Sequence, residues 1–236
     1  MDDLRKNRPD PLGSCSVLLL HLHGVLAYKS TFKDPTTRIQ EHNMRISIEG
    51  NIATGKSTIL DGLKALGYTV RPEPIHEWET LLDLYYKDPA QWSLCFNLKV
   101  LHSFQSVPLN DPEEPTKPVF IERSPGACRH VFGQLSYNDQ HMSPAAWEVF
   151  KEFSKLLWWE PDVYIFVNTP VNVCHERLQK RGRTCEQEIS SEYLGRIDFQ
   201  YHNFLKFTEK PVHIIDGTLD TQEQIQAILN CVQSPV

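Results

Sequence analysis

No two of the six cysteines stand as a C-x-x-C pair, and Cys15, Cys95, Cys128, Cys174, Cys185 and Cys231 follow no metal or disulfide spacing. A zinc ribbon and a disulfide scaffold are therefore not expected, and reduced thiols in a cytoplasmic compartment are. Basic residues are not in excess: 24 Lys and Arg against 30 Asp and Glu leave a net charge of −6. Surfaces built for duplex nucleic acid or anionic membrane carry a basic footprint, so neither partner is expected. Nor does any apolar run reach the ~20 residues that span a bilayer. The longest, Val17 to Tyr28, is interrupted by His21, His23 and Gly24. Its flank mixes Arg5, Lys6 and Arg8 with Asp2, Asp3 and Asp10, a poor match to a signal or transit peptide. A mitochondrial or viral source stays open.

What is present is an ordinary globular composition, 40% apolar and 23% charged, over 236 residues. That length suffices for one large α/β domain. Residues 1–43 hold Pro9, Pro11 and Pro35 with no sustained periodicity, and are expected to be an extension. Residues 44–236 read as the folded domain. Strands are expected at Met44–Glu49, Tyr68–Arg71, Pro118–Ile121, Val163–Val167 and Val212–Ile215. Helical patterns fill the intervals, at Lys56–Leu66, Trp78–Tyr86, Pro89–Ser106, 124–134, 144–158, Val171–Lys180, 190–207 and Thr221–Val232. Strands alternating with helices predict a five-stranded parallel sheet covered on both faces.

Between the first strand and the first helix, Gly50, Asn51, Ile52, Ala53, Thr54, Gly55, Lys56 and Ser57 match G-x-x-x-x-G-K-[ST], with Thr58 next. Glycines let the backbone curl its N–H groups toward phosphate oxygens, and the following helix adds its positive end. Lys56 is placed for the β- and γ-phosphates and Ser57 for Mg²⁺. The motif implies ATP or GTP and leaves the acceptor open.

Three constellations bear on the acceptor. Glu73, followed by Pro74, Ile75 and Trp78, stands at the end of the second strand, where a carboxylate can serve as general base on a hydroxyl. Glu122, Arg123 and Ser124 follow the third strand. There an acid can hold Mg²⁺ and an arginine can neutralise charge near the transferred group. Arg181, Gly182 and Arg183 open a charged loop that can close over phosphates as a lid.

Together these motifs resemble the deoxynucleoside kinase family, over about residues 44–233. Its G-N-I-A-x-G-K-[ST], E-P-V-x-x-W, Y-x-D-P, E-R-S, R-x-R and E-Y-L stretches are matched by residues 50–57, 73–78, 86–89, 122–124, 181–183 and 192–194. The resemblance implies a P-loop kinase fold with a short arginine-containing lid, a homodimer, and ATP- and Mg²⁺-dependent phosphorylation of a deoxynucleoside 5′-hydroxyl. It also implies roles. Glu73 resembles the base and Arg123 the arginine near the 5′-oxygen. Ser57 and Glu122 resemble the metal side, and Arg181 and Arg183 the grip on ATP. Trp78, Phe96, Val100 and Phe132 resemble the base pocket, and Tyr86 with Glu186 the pair on the sugar 3′-hydroxyl.

The chain departs from the family at the base. The family's F-Q is Phe96-Asn97 here, one methylene shorter, with an amide that can read thymine or, flipped, cytosine. Phe104 and Cys128 replace the Arg and Asp of deoxycytidine and deoxyguanosine kinases. An uncharged pocket favours thymidine. A thymidylate kinase would need more basic residues for its acceptor phosphate and has no need of Glu73. A noncatalytic subunit with this fold would be free to lose Lys56, Glu73 or Arg123.

Overall fold

A computed structural model describes residues 43–114, 116–183, 186 and 188–233. The expected extension and its apolar run at Val17–Tyr28 lie outside the described residues. Five parallel strands form the sheet: β1 (Arg45–Glu49), β2 (Thr69–Arg71), β3 (Val119–Glu122), β4 (Val163–Asn168) and β5 (Val212–Asp216), in the order β2-β3-β1-β4-β5. The expected five-stranded sheet is therefore observed, with strand ends within two residues of their expected positions. β1 sits at the centre, and Ile46, Ile48, Phe120 and Ile165 are fully buried on it and its neighbours. Strands buried on both faces read as apolar runs, as β3 and β4 do.

Helices α1 (Lys56–Ala65), α2 (Glu79–Lys87) and α3 (Pro89–Ser103) follow the first two strands. Asp88 caps α3 by accepting a hydrogen bond from Gln91 N at 3.1 Å, and Pro89 occupies the first turn, where its missing N–H costs nothing. This is the local reason for the Y-x-D-P stretch. After β3 the chain does not form the single α-helix expected over 124–134. A short α-turn, α4 (Pro125–Ala127), passes into a π-helix at Cys128–Gly133 and then into α5 (Gln134–Asn138). Sequence periodicity does not register a π-turn, and such turns gather at functional sites.

Helix α6 (Pro144–Leu156) precedes β4, and α7 (Val171–Arg181) and α8 (Ser191–Lys206) precede β5. Gly182 ends α7 in the left-handed conformation, φ 67°, so the turn that carries Arg181 and Arg183 is a glycine helix cap. Helix α9 (Thr221–Gln233) closes the chain against α1. No helix among the described residues is long and apolar enough to cross a membrane. Asn43, on the far side of the expected 43/44 boundary, is buried. It donates to Glu114 O and Lys117 O at 2.7 Å and accepts from Asp111 N at 2.7 Å. The folded domain thus includes Asn43.

Candidate active site

From β1 the chain runs to β2 at one edge, returns through β3 beside β1, and then passes β1 to β4 and β5 on the other side, so the sheet order reverses at its centre, and open α/β sheets bind ligands at such a point. A cleft of about 660 Å³ opens there. Every site residue expected from the sequence lines it except Gly50 and Asn51. Those two shape the phosphate loop from behind. Gly50, φ 151°, leaves no room for a side chain, since a Cβ would stand 2.9 Å from Val167 O. Asn51 donates from Nδ2 to Leu194 O at 2.8 Å and ties the loop to α8.

Lys56 is buried, and its ammonium is folded onto its own loop. Nζ donates to Asn51 O at 2.7 Å, Gly50 O at 3.2 Å and Thr54 Oγ1 at 3.4 Å. Burial, reinforced by the nearby Arg123 charge, lowers its pKa to about 7. Beside it, Ser57 Oγ donates to Glu122, 3.2 Å from Oε1 and 3.4 Å from Oε2. Adjacent oxygen ligands of an octahedral Mg²⁺ stand about 2.9 Å apart, so this hydroxyl and carboxylate fit that ion. Among the described residues no group of three or more His, Cys, Asp and Glu could hold a metal unaided. A Mg²⁺ site of this kind takes its other ligands from phosphate and water.

Glu73 meets Arg123 across the cleft floor, with Nε donating to Oε2 at 3.2 Å. Burial raises the Glu73 pKa; Arg123 opposes the rise and Glu122 adds to it. The Arg123 guanidinium also donates to Gly50 O at 2.8 Å and lies 4.9 Å from the centre of the Phe132 ring.

The other end of the cleft is aromatic and uncharged. Tyr85 stacks on Phe96 at 4.9 Å, Trp78 meets Phe96 edge-on at 5.7 Å, and Phe104 packs against Trp159. The Cys128 thiol is raised well above its ordinary range by burial and is therefore a neutral wall. Asn97 behaves differently from expectation. Its Nδ2 donates to Ser93 O at 2.9 Å and to Ser136 Oγ at 3.4 Å. A flipped amide would set its oxygen against the Ser93 carbonyl, so the freedom to flip toward cytosine is lost. Oδ1 has no partner among the described residues and is the atom left for a ligand.

At the lid, Glu186 is buried and its two carboxylate oxygens take separate arginines, Oε2 from Arg181 and Oε1 from Arg183 at 3.5 Å. It lines the same cleft as Tyr86 and holds the two lid arginines together. Sequence reasoning did not name Tyr85, Ser136 or Arg177. Arg177 braces the phosphate loop, donating to Thr54 O and Gly217 O at 3.1 Å each. It precedes Arg181 by one helical turn, and that i, i+4 pair of arginines was a usable signal.

A family model described as deoxynucleoside kinase matches residues 46–236. A Frog virus 3 protein named as a deoxynucleoside kinase is 32% identical over 182 residues, covering 77% of this chain and 89% of that one. Deoxycytidine kinase of Homo sapiens is 26% identical over 236 residues, covering 80% and 89%. A solved structure of deoxyadenosine kinase from M. mycoides, with dCMP and dCDP bound, superposes with a TM-score of 0.69 at 25% identity, covering 80% of this chain and 98% of that one.

Proposed function

Because the chain belongs to the deoxynucleoside kinase family, we propose that it transfers the γ-phosphoryl group of ATP to the 5′-hydroxyl of a deoxynucleoside, with thymidine the preferred acceptor. The observation that carries this reading is the division of one cleft into two ends. Lys56 and the phosphate loop stand at one, the uncharged aromatic pocket with Asn97 at the other, and the Glu73–Arg123 pair reaches both, through Gly50 O and the Phe132 ring. A carboxylate held next to an arginine suits deprotonation of a hydroxyl. A thymidylate kinase would need no such base, because a phosphate acceptor is already anionic.

In this reading Glu73 takes the 5′-hydroxyl proton as the hydroxyl oxygen attacks the γ-phosphorus. Arg123 and Lys56 stabilise charge spread over the transferring oxygens, which is where most of the catalysis of phosphoryl transfer lies. Arg181 and Arg183 exchange Glu186 for phosphate as the lid closes, and water is excluded. Mg²⁺, held by Ser57 and Glu122 with the phosphates, would supply further charge neutralisation. Trp78, Phe96, Val100, Phe104 and Cys128 wall the base, Phe132 stacks on it, and Tyr86 with Glu186 holds the sugar.

Base choice follows from Asn97. In a pose that sets Oδ1 opposite position 3 of a pyrimidine, thymine offers N3–H and cytosine offers a lone pair. An unpaired buried polar edge costs about 1–3 kcal/mol, so thymidine should exceed deoxycytidine in kcat/KM by about tenfold. Purines should follow in this reading, in which Phe104, on the same cleft, fills the room that the shorter Asn97 leaves. Steady-state assays with the four deoxynucleosides and MgATP test this. A purine in first place would remove the thymidine assignment and leave the kinase standing. Deoxycytidine in first place would mean that Oδ1 accepts the cytosine amino group.

Residues 1–42 contribute nothing to this chemistry in our reading. A chain beginning at Asn43 should fold and retain turnover, because it keeps the side chain that pins 111–117. Its activity and melting temperature should match those of the full chain. Insoluble or inactive protein would assign the extension a structural role.

A further inference from the structure

Arg123 is held from behind by groups that have no access to substrate. A guanidinium carries five N–H donors. Nε is taken by Glu73, and Nη1 by Gly50 O and by the hydroxyl of Tyr201, 78 residues further along. Nη2 has no protein acceptor among the described residues, and Arg123 lines the cleft. Tyr201, on α8, passes its own hydrogen to Glu49 Oε2 at 3.3 Å. Glu49, the last residue of β1, takes Ser124 Oγ at 2.6 Å and Ser47 Oγ at 2.8 Å on its other oxygen. Both Glu49 and Tyr201 are 0% exposed, and neither borders the cleft.

The direction of these bonds matters. The Tyr201 oxygen can accept from Arg123 only while its hydrogen is turned to Glu49, and Glu49 faces three hydroxyl donors, a set suited to a carboxylate. Burial works against that charge and raises the Glu49 pKa, while the serines and Arg123 oppose the rise. The backbone adds a second sign of constraint. Arg123 has φ 65°, a conformation non-glycine residues hold only where their surroundings over-determine it.

We propose that Tyr201 and Glu49 are positioning residues for phosphoryl transfer, a buried bracket that fixes the Arg123 guanidinium so that Nη2 meets the transferring group while Nε holds Glu73. The proposal rests on the kinase reading above and is independent of which base is preferred. Tyr201→Phe keeps the ring packed on Phe166 and Phe132 and removes only the hydroxyl. Glu49→Gln keeps an acceptor for the serines and presents an amide donor to Tyr201, which reverses the required direction.

The test is a double-mutant cycle with Arg123→Lys, assayed with whichever deoxynucleoside turns over fastest in the wild type. Tyr201→Phe is expected to lower kcat about tenfold, with both KM values within about threefold. In the Arg123→Lys background the same change should cost less than twofold, because the donor that the hydroxyl serves is gone. Glu49→Gln should repeat the pattern, and it decides the question alone if Tyr201→Phe melts before assay temperature. Equal losses in the two backgrounds, or an unchanged kcat in folded Tyr201→Phe, would overturn the proposal. A wild type that phosphorylates no deoxynucleoside would instead refute the kinase reading.

Discussion

Glu73→Gln is expected to lower kcat by about 10²–10⁴-fold while the nucleoside KM changes little. Glutamine fills the same space and can still accept from Arg123 Nε, so the ion pair's geometry is largely kept and the proton acceptor is lost. The size of the effect depends on how well the base is tuned. A carboxylate at its ordinary pKa is a weak base at neutral pH. Burial and the neighbouring Glu122 raise Glu73, which makes it a stronger base, and Arg123 opposes the rise.

The sign of the pH dependence follows. Only the deprotonated carboxylate can take the 5′-hydroxyl proton, so kcat should fall as pH drops through a pKa above the usual glutamate range. In Glu73→Gln that acid limb should disappear from the profile along with most of the rate. A variant whose KM rises sharply while kcat holds would make Glu73 a binding residue, and the base would have to be sought elsewhere in the cleft.

The sheet was legible because β3 and β4 carry apolar runs and β1 alternates apolar and polar residues, each bounded by loops, and the phosphate loop because its spacing is a backbone requirement. Glu73 and the Glu122–Arg123 pair meet in the same cleft because they stand at the ends of the neighbouring strands β2 and β3, and Tyr86 on α2 and the arginines at the α7 cap line it as well. What escaped was set by contacts between distant segments. The orientation of the Asn97 amide depends on Ser136, 39 residues away, as well as on Ser93 one turn back. Tyr201 reads as one more apolar position of an amphipathic helix until its hydroxyl is seen against Arg123. The π-turn at Cys128–Gly133 leaves no trace in a 3.6-residue periodicity, and its winding belongs to the segment that brings Cys128 and Phe132 to the same cleft. Glu49 looks like the polar end of a strand, yet it is wholly buried.

Lys56→Ala should cut turnover by about 10²-fold or more, by removing a positive charge from the transferring phosphoryl group in a site sheltered from water. The lysine also predicts how ATP binding responds to pH. Without phosphate its Nζ is occupied by two loop carbonyls and the Thr54 hydroxyl, and its pKa is lowered to about 7. Phosphate oxygens would replace those neutral acceptors with negative charge and push the pKa back up. The bound state then holds more protons than the free state above pH 7, so ATP affinity should weaken as pH rises through that range. Binding near pH 8 should be accompanied by proton uptake. Calorimetry in two buffers of different ionisation enthalpy measures that uptake directly, and in Lys56→Ala it should vanish along with the pH dependence. Uptake unchanged in the variant would assign the proton to another group, and near-wild-type turnover would remove Lys56 from the chemistry altogether.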